Sequence, residues 1–285
     1  TAASQCLAKN PAAPACSASG TCVQCTDDTT CSGTTPVCAT ATNTCRGCTA
    51  DAECTGRGPG VCMSHQDARC ASDAETAVVT AGGSLPSVAS LTGKALVVVR
   101  GTASGTLVWT LSGPPMSIVG QNSGTITGAG AGSAAVHVTG GDLYMRGLTI
   151  TGGSPGLWAD GGAVVRLDHV DVANNTAGGI LLDGAGFDIR NTTVKGNGPN
   201  IAGSSAFGGM LIQNAPTSTA VPKSLALSTV TSNQQIGVAC ASGTASLLTP
   251  TPTSALVSGN TGGDVAGTCG FTSCATASTT CGAQP

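Results

Sequence analysis

The chain has 285 residues, a formal net charge of −3, 9% charged residues and six aromatics: three Phe, two Trp and one Tyr. An ordinary globular domain carries about 25% charged residues, so a compact core built on large rings is excluded, and so is a basic patch for nucleic acid or an anionic membrane. No apolar run approaches the ~20 residues needed to span a bilayer.

Eleven of the fifteen cysteines precede Ser72, which points to an oxidising compartment. The opening Thr1-Ala2-Ala3-Ser4 has no initiator methionine, as expected of a mature secreted product. Within this region Cys25, Cys31, Cys38 and Cys45 map onto Cys48, Cys54, Cys62 and Cys70, each unit opening C-T-x-D-x-x-C. Cys6, Cys16 and Cys22 are the last three members of an earlier unit without its first cysteine. The C-x-x-C pairs Cys22/Cys25 and Cys45/Cys48 could signal zinc, but each straddles a unit boundary and His65 is the region's one histidine. Disulfides are expected instead, because a fragment this small and polar needs cross-links to fold. If each unit pairs first with third and second with fourth, the bonds are Cys25–Cys38, Cys31–Cys45, Cys48–Cys62 and Cys54–Cys70. Cys6 then joins Cys22, and Cys16 remains as a free or intermolecular thiol. Asp28 and Asp51 share one slot in the repeat and are expected to cap turns. The disulfide domain is assigned to residues 1–73.

From residue 74 the pattern changes. Gly147-Leu148-Thr149-Ile150-Thr151 returns as His169-Val170-Asp171-Val172-Ala173 and as Asn191-Thr192-Thr193-Val194-Lys195, offset by 22 residues each time. Ile150, Val172 and Val194 superpose, as do Met145, Leu167 and Ile189, and Leu143, Val165 and Phe187, which is the pattern of stacked coils burying one alternate row. A second strand follows each time behind glycine, at Gly156, Gly179, Gly209 and Gly237, giving roughly four clear coils. The fold expected is all-β: a right-handed parallel β-helix over 74–270, and a tail, 271–285, in which Cys240, Cys269, Cys274 and Cys281 pair among themselves to pin the open end.

Arg146, Asp168 and Arg190 fall in register on an outer face, so Asp168 is expected between two arginines, with Asp188 facing Arg166. Asp160 and Asp183 occupy matching places after the second strand. Asn174, Asn175, Asn197, Asn233 and Asn260 fall at one turn, where stacked amides would bond one another. If the chain were an enzyme, Asp168, Asp171, His169 and Arg190 would be its best catalytic candidates, as a carboxylate pair or a histidine base. Paired carboxylates and a solvated histidine are the competing, structural account of the same residues. Asn174-Asn175-Thr176 and Asn191-Thr192-Thr193 match the N-glycosylation pattern, and the hydroxyl-rich loops 215–222 and 249–254 suit O-glycans.

The entry to the solenoid carries a resemblance. Ser84-Leu85-Pro86-Ser87-Val88-Ala89-Ser90-Leu91 looks like a short capping helix and Lys94 to Thr102 like a first coil strand, followed by Ser117-Ile118-Val119-Gly120 and Thr125-Ile126-Thr127-Gly128. From about Glu75 to Cys269 the chain resembles the right-handed parallel β-helix proteins of the pectin-lyase-like superfamily, and its Cys-rich units resemble those preceding such solenoids in secreted myxobacterial proteins. The N-T-D, D-D, G-H-G and R-I-K signatures of the polygalacturonases in that superfamily have no match here. Fold does not fix function. The expectation is a secreted structural protein of the cell surface or matrix, an adhesin or a fibre subunit associating head to tail with its own kind and touching surface glycans. It requires no cofactor and no metal. The rivals are a polysaccharide lyase or hydrolase, and a glycan- or protein-binding module using the sheet near Trp158.

Overall fold

The computed structural model describes residues 3–105, 107–130, 132–200, 206–218, 220–241, 254–267, 269 and 272–274. The chain divides into two compact units, Thr1–Thr76 and Ala77–Pro285.

The first unit is built around its disulfides. Five bonds join Cys6 to Cys22, Cys25 to Cys38, Cys31 to Cys45, Cys48 to Cys62 and Cys54 to Cys70. Cys25, Cys31 and Cys38 cluster closely, as do Cys48, Cys54 and Cys62, but disulfides occupy all six. A seven-residue helix, Ala3–Lys9, carries Cys6 inward. Asp28 Oδ1 accepts from the Cys38 N–H at 2.7 Å, and Asp51 Oδ1 accepts from the Cys62 N–H at 2.8 Å. The shared slot therefore has one use: each carboxylate ties the turn before a cysteine to the backbone N–H of the next cysteine. Arg57 reaches back to the carbonyls of Asp28 and Cys31, stapling the second repeat to the first.

The second unit is a parallel β-helix of about seven turns, with three columns of strands. The first column runs through Asp142–Arg146, Val164–Asp168, Gly186–Arg190 and Lys223–Ala226. The second runs through Thr149–Thr151, Asp171–Ala173, Thr193–Lys195, Ser228–Thr231 and Ser254–Ser258. The seven-stranded third column runs from Leu107–Thr110 to Val265–Ala266. The long strands Leu96–Ser104 and Met116–Thr127 serve the first two columns at once. In later turns one left-handed residue breaks that strand into two: Gly147, His169, Asn191 and Leu227 all have φ between 47° and 63°. The corner thus repeats a backbone conformation rather than a residue type, although only glycine adopts it without cost.

Inside, the aliphatic rows stack as the 22-residue offset requires. Ile150 pairs with Val172, and Val172 with Val194; Met145, Leu167 and Ile189 form a second row and Leu143, Val165 and Phe187 a third. All are at most 1% exposed, and fully burying such a side chain contributes about 1.5–3 kcal/mol. Lys223 extends the third row, directly after Phe187. It is buried, and its Nζ donates to the carbonyls of Pro216 and Ser218 at 2.8 and 2.9 Å.

The short capping helix is smaller than expected. Only Val88–Leu91 is helical, as one 3₁₀ turn capped by Ser87. Proline at 86 forbids helix in the residue before it; the Pro86 carbonyl instead accepts from Trp109 Nε1 at 3.1 Å. At the other end Cys240 bonds Cys269. Cys281, the Cys274 side chain, most of 271–285 and residues 249–253 of the hydroxyl-rich loop lie outside the described residues.

Candidate functional site

Two clefts on the β-helix collect the chemistry-bearing residues. The first, a cavity of about 530 Å³, lies along the left-handed corner and is bordered by Thr149, His169, Asp171, Asn191, Thr193 and Lys195. His169 Nδ1 lies 2.8 Å from Asp168 Oδ1, an oxygen that also accepts from Asn191 Nδ2 at 2.9 Å. Tyr144 Oη reaches Asp168 Oδ2 at 3.4 Å. Lys195 and Asp171 form a loose, half-exposed pair at 3.8 Å.

The arginines sit differently from the sequence expectation. Arg146, Asp168 and Arg190 are in register, but Arg190 turns back along its own strand to Asp188 at 2.9 Å, which raises its pKa. Arg166 bonds Asp142, at 3.1 Å, rather than Asp188. Pairs on alternate residues of one strand, or on diagonal neighbours, compete with directly opposed pairs once long side chains are free to lean. Of the four catalytic candidates, Asp168, His169 and Asp171 are therefore brought together, whereas Arg190 is not. Asn191, Tyr144 and Lys195 join them; the available signal was their offset, 22 residues between His169 and Asn191 (one coil), and 24 between Tyr144 and Asp168 and between Asp171 and Lys195 (one coil and a step of two along the strand).

The second cleft, about 440 Å³, is bordered by Pro155, Trp158, Leu181, Asp183, Asn200 and Gln213. His137 stacks flat on Trp158, with ring centroids 4.1 Å apart and 3° between planes. Asp160 ties the pair down, meeting His137 Nε2 at 3.0 Å and accepting from Thr139 Oγ1 at 2.6 Å. Asp183 accepts from Gln213 Nε2 and Asn214 Nδ2 at 2.9 and 2.7 Å. One face of the indole is thus covered by imidazole, and its strand neighbour Leu181 follows on the other side.

In the first unit Arg46 and Thr49 hold the Glu53 carboxyl at a pKa of about 2, and Arg69 and the Ser72 N–H do the same for Glu75. Cys16 is half-buried, with Sγ 3.6 Å from the Ser17 carbonyl. No family model, curated protein or solved structure matches the chain.

Proposed function

We propose that this is an extracellular structural protein of the cell surface or matrix, acting as an adhesin or as the subunit of a fibre assembled head to tail, and that its β-helix belongs with the right-handed, pectin-lyase-like solenoids. The observation that carries the reading is that eight of the ionisable side chains on the β-helix, including the three catalytic candidates near the corner cavity, are taken up in pairs at solvated surfaces. Asp168 with His169, Asp171 with Lys195, Asp188 with Arg190 and Asp142 with Arg166 are all partly exposed pairs. Below them lies a repeated lattice of aliphatic rows and stacked amides, which suits load-bearing rather than turnover. Disulfide-rich chains belong in oxidising compartments, which favours the exterior of the cell. Electron microscopy and sedimentation of purified protein test this: concentration-dependent oligomers or capture on matrix polymer are expected, and a monomer that binds no matrix polymer at any concentration would overturn it.

A second reading is a polysaccharide lyase or hydrolase, favoured by the His169–Asp168 bond beside the corner cavity. It predicts new reducing ends or unsaturated products from pectin, alginate or glycosaminoglycan. The cleft at Trp158 favours a third reading, a glycan- or protein-binding module, although the indole offers an edge rather than an open face.

A further inference from the structure

Trp158 is half-buried, and its indole N–H is buried with no hydrogen-bond partner among the described residues. The other tryptophan differs, since Trp109 Nε1 donates to the Pro86 carbonyl. A buried donor left unpaired costs about 1–3 kcal/mol, so such a group marks a place where an acceptor is expected. The imidazole of His137 covers one face of the ring and Leu181 follows on the other side. The acceptor therefore comes from the cleft of about 440 Å³ that Trp158 borders. Side chains commonly change rotamer when a partner docks, which opens the covered N–H to that cleft. Water fills such a position only with about two to four polar partners, and the amides here are committed, Asn200 Nδ2 to the Ala177 carbonyl at 3.0 Å and Gln213 Nε2 to Asp183.

The chemistry of the cleft narrows the class of partner. Asp183 is the one ionisable residue bordering it among the described residues, so an anionic ligand would meet a carboxylate and no cation. Both Asp183 oxygens already accept, from Gln213 and Asn214, which leaves few acceptors for a ligand rich in N–H or O–H donors. A sugar brings many such donors and would find both faces of the indole covered. A pairing β-strand would find no edge, because the strands bearing Trp158 and Leu181 are hydrogen-bonded on both sides. A proline-rich segment meets each condition. Its carbonyls accept while its ring nitrogens carry no N–H, and its polyproline II backbone is set before binding, so its rings pack on apolar walls at little entropic cost. The walls here are Pro155, Ala177, Pro199 and Leu181. Pro155, Ala177 and Pro199 lie 22 residues apart, on successive coils. At ~4.8 Å per coil they span about 10 Å, and one polyproline II turn of three residues rises about 9 Å.

Resting on the binding-module reading of this cleft, we propose that it takes an uncharged, proline-rich segment of a partner protein, one carbonyl of which accepts from Trp158 Nε1. The test is titration of the whole chain, nitrogen-15-labelled and assigned by triple-resonance spectroscopy, with acetylated and amidated decaproline. The Trp158 indole N–H resonance should move downfield and saturate, while that of Trp109 stays in place. Trp158→Phe, which keeps a ring against His137, should keep the wild-type Tm and bind decaproline about 3- to 10-fold more weakly by calorimetry, the loss of one hydrogen bond. A Trp158 resonance that decaproline leaves unmoved but a neutral oligosaccharide such as cellohexaose shifts would overturn the proposal and leave the binding module standing. A resonance moved by neither would overturn both. An equal shift with a glycine–serine peptide, or a folded Trp158→Phe that binds as tightly as wild type, would also overturn it.

Discussion

Asn197 Nδ2 donates to Asn233 Oδ1 at 2.9 Å, while Asn197 Oδ1 accepts from Asn175 Nδ2 at the same distance. The chain continues from Asn233 to Asn260 at 2.8 Å and ends on the Asp264 carboxylate at 3.0 Å. Each amide also donates to a carbonyl of the preceding turn, those of Ile150, Val172, Val194 and Val230. All four amides are buried, and aligned hydrogen bonds of this kind reinforce one another. Asn197→Ala would orphan the buried Asn175 N–H, which donates to Asn197 Oδ1 at 3.0 Å, and the Val172 carbonyl would lose the Asn197 amide, whereas Asn233 Oδ1 would keep the Asn197 N–H; an orphaned group costs about 1–3 kcal/mol. A drop in stability of at least about 2 kcal/mol by denaturant titration is expected, with a larger effect than Asn174→Ala, whose side chain is exposed.

The glycine beside the ladder is equally constrained. A Cβ on Gly179 would lie 2.6 Å from Val194 Cγ1, 2.7 Å from the Gly209 carbonyl oxygen and 2.9 Å from Asn197 Nδ2. Gly179→Ala should therefore destabilise by about 1–3 kcal/mol through overpacking. Thermal melting checks this; an unchanged Tm would mean that the coil spacing is wrong.

Val172 is fully buried between Ile150 and Val194. Val172→Asp would bury an unpaired carboxyl and should cost about 4 kcal/mol or more, or abolish folding. A variant melting like the parent would show that the inward row has been misassigned.

Acid should loosen the first unit. Glu53 and Glu75 have folded pKa values of about 2, against an ordinary 4.5. Because these values are depressed, the stabilisation is complete above the unfolded value and is lost as pH falls from about 4.5 towards 2. Amide exchange, corrected for intrinsic rates, should quicken around Arg46–Glu53 and Arg69–Glu75 between pH ~5 and ~2.5. The Glu53→Gln/Glu75→Gln variant should show a flatter profile.

The aliphatic rows and the amide ladder were legible because a 22-residue offset brings identical environments into line, and local pattern suffices to read that. The roughly four coils read from sequence became about seven turns because the earlier rungs break the offset: a register shift between Arg100 and Thr102 and the left-handed Asn122 and Ser123 insert residues at the corner. Lys223 was illegible for another reason. It occupies a core row while its ammonium leaves that row for two loop carbonyls, and that contact depends on how a Ser/Thr/Pro loop folds back. The Asp168 site was half legible: register placed the residue, but side-chain reach gave it to His169 and Asn191 and gave Arg190 to Asp188.

A structural rather than catalytic role is tested most directly by digestion of pectin, alginate and glycosaminoglycans by purified protein, read as new reducing ends or unsaturated products, with Asp168→Asn alongside. Asp168 makes partly exposed contacts worth about 0–1 kcal/mol each, so the substitution should shift Tm only slightly. A structural protein predicts no product from either form above a protein-free control. Product from wild type that disappears in Asp168→Asn would contradict it and make the corner cavity an active site.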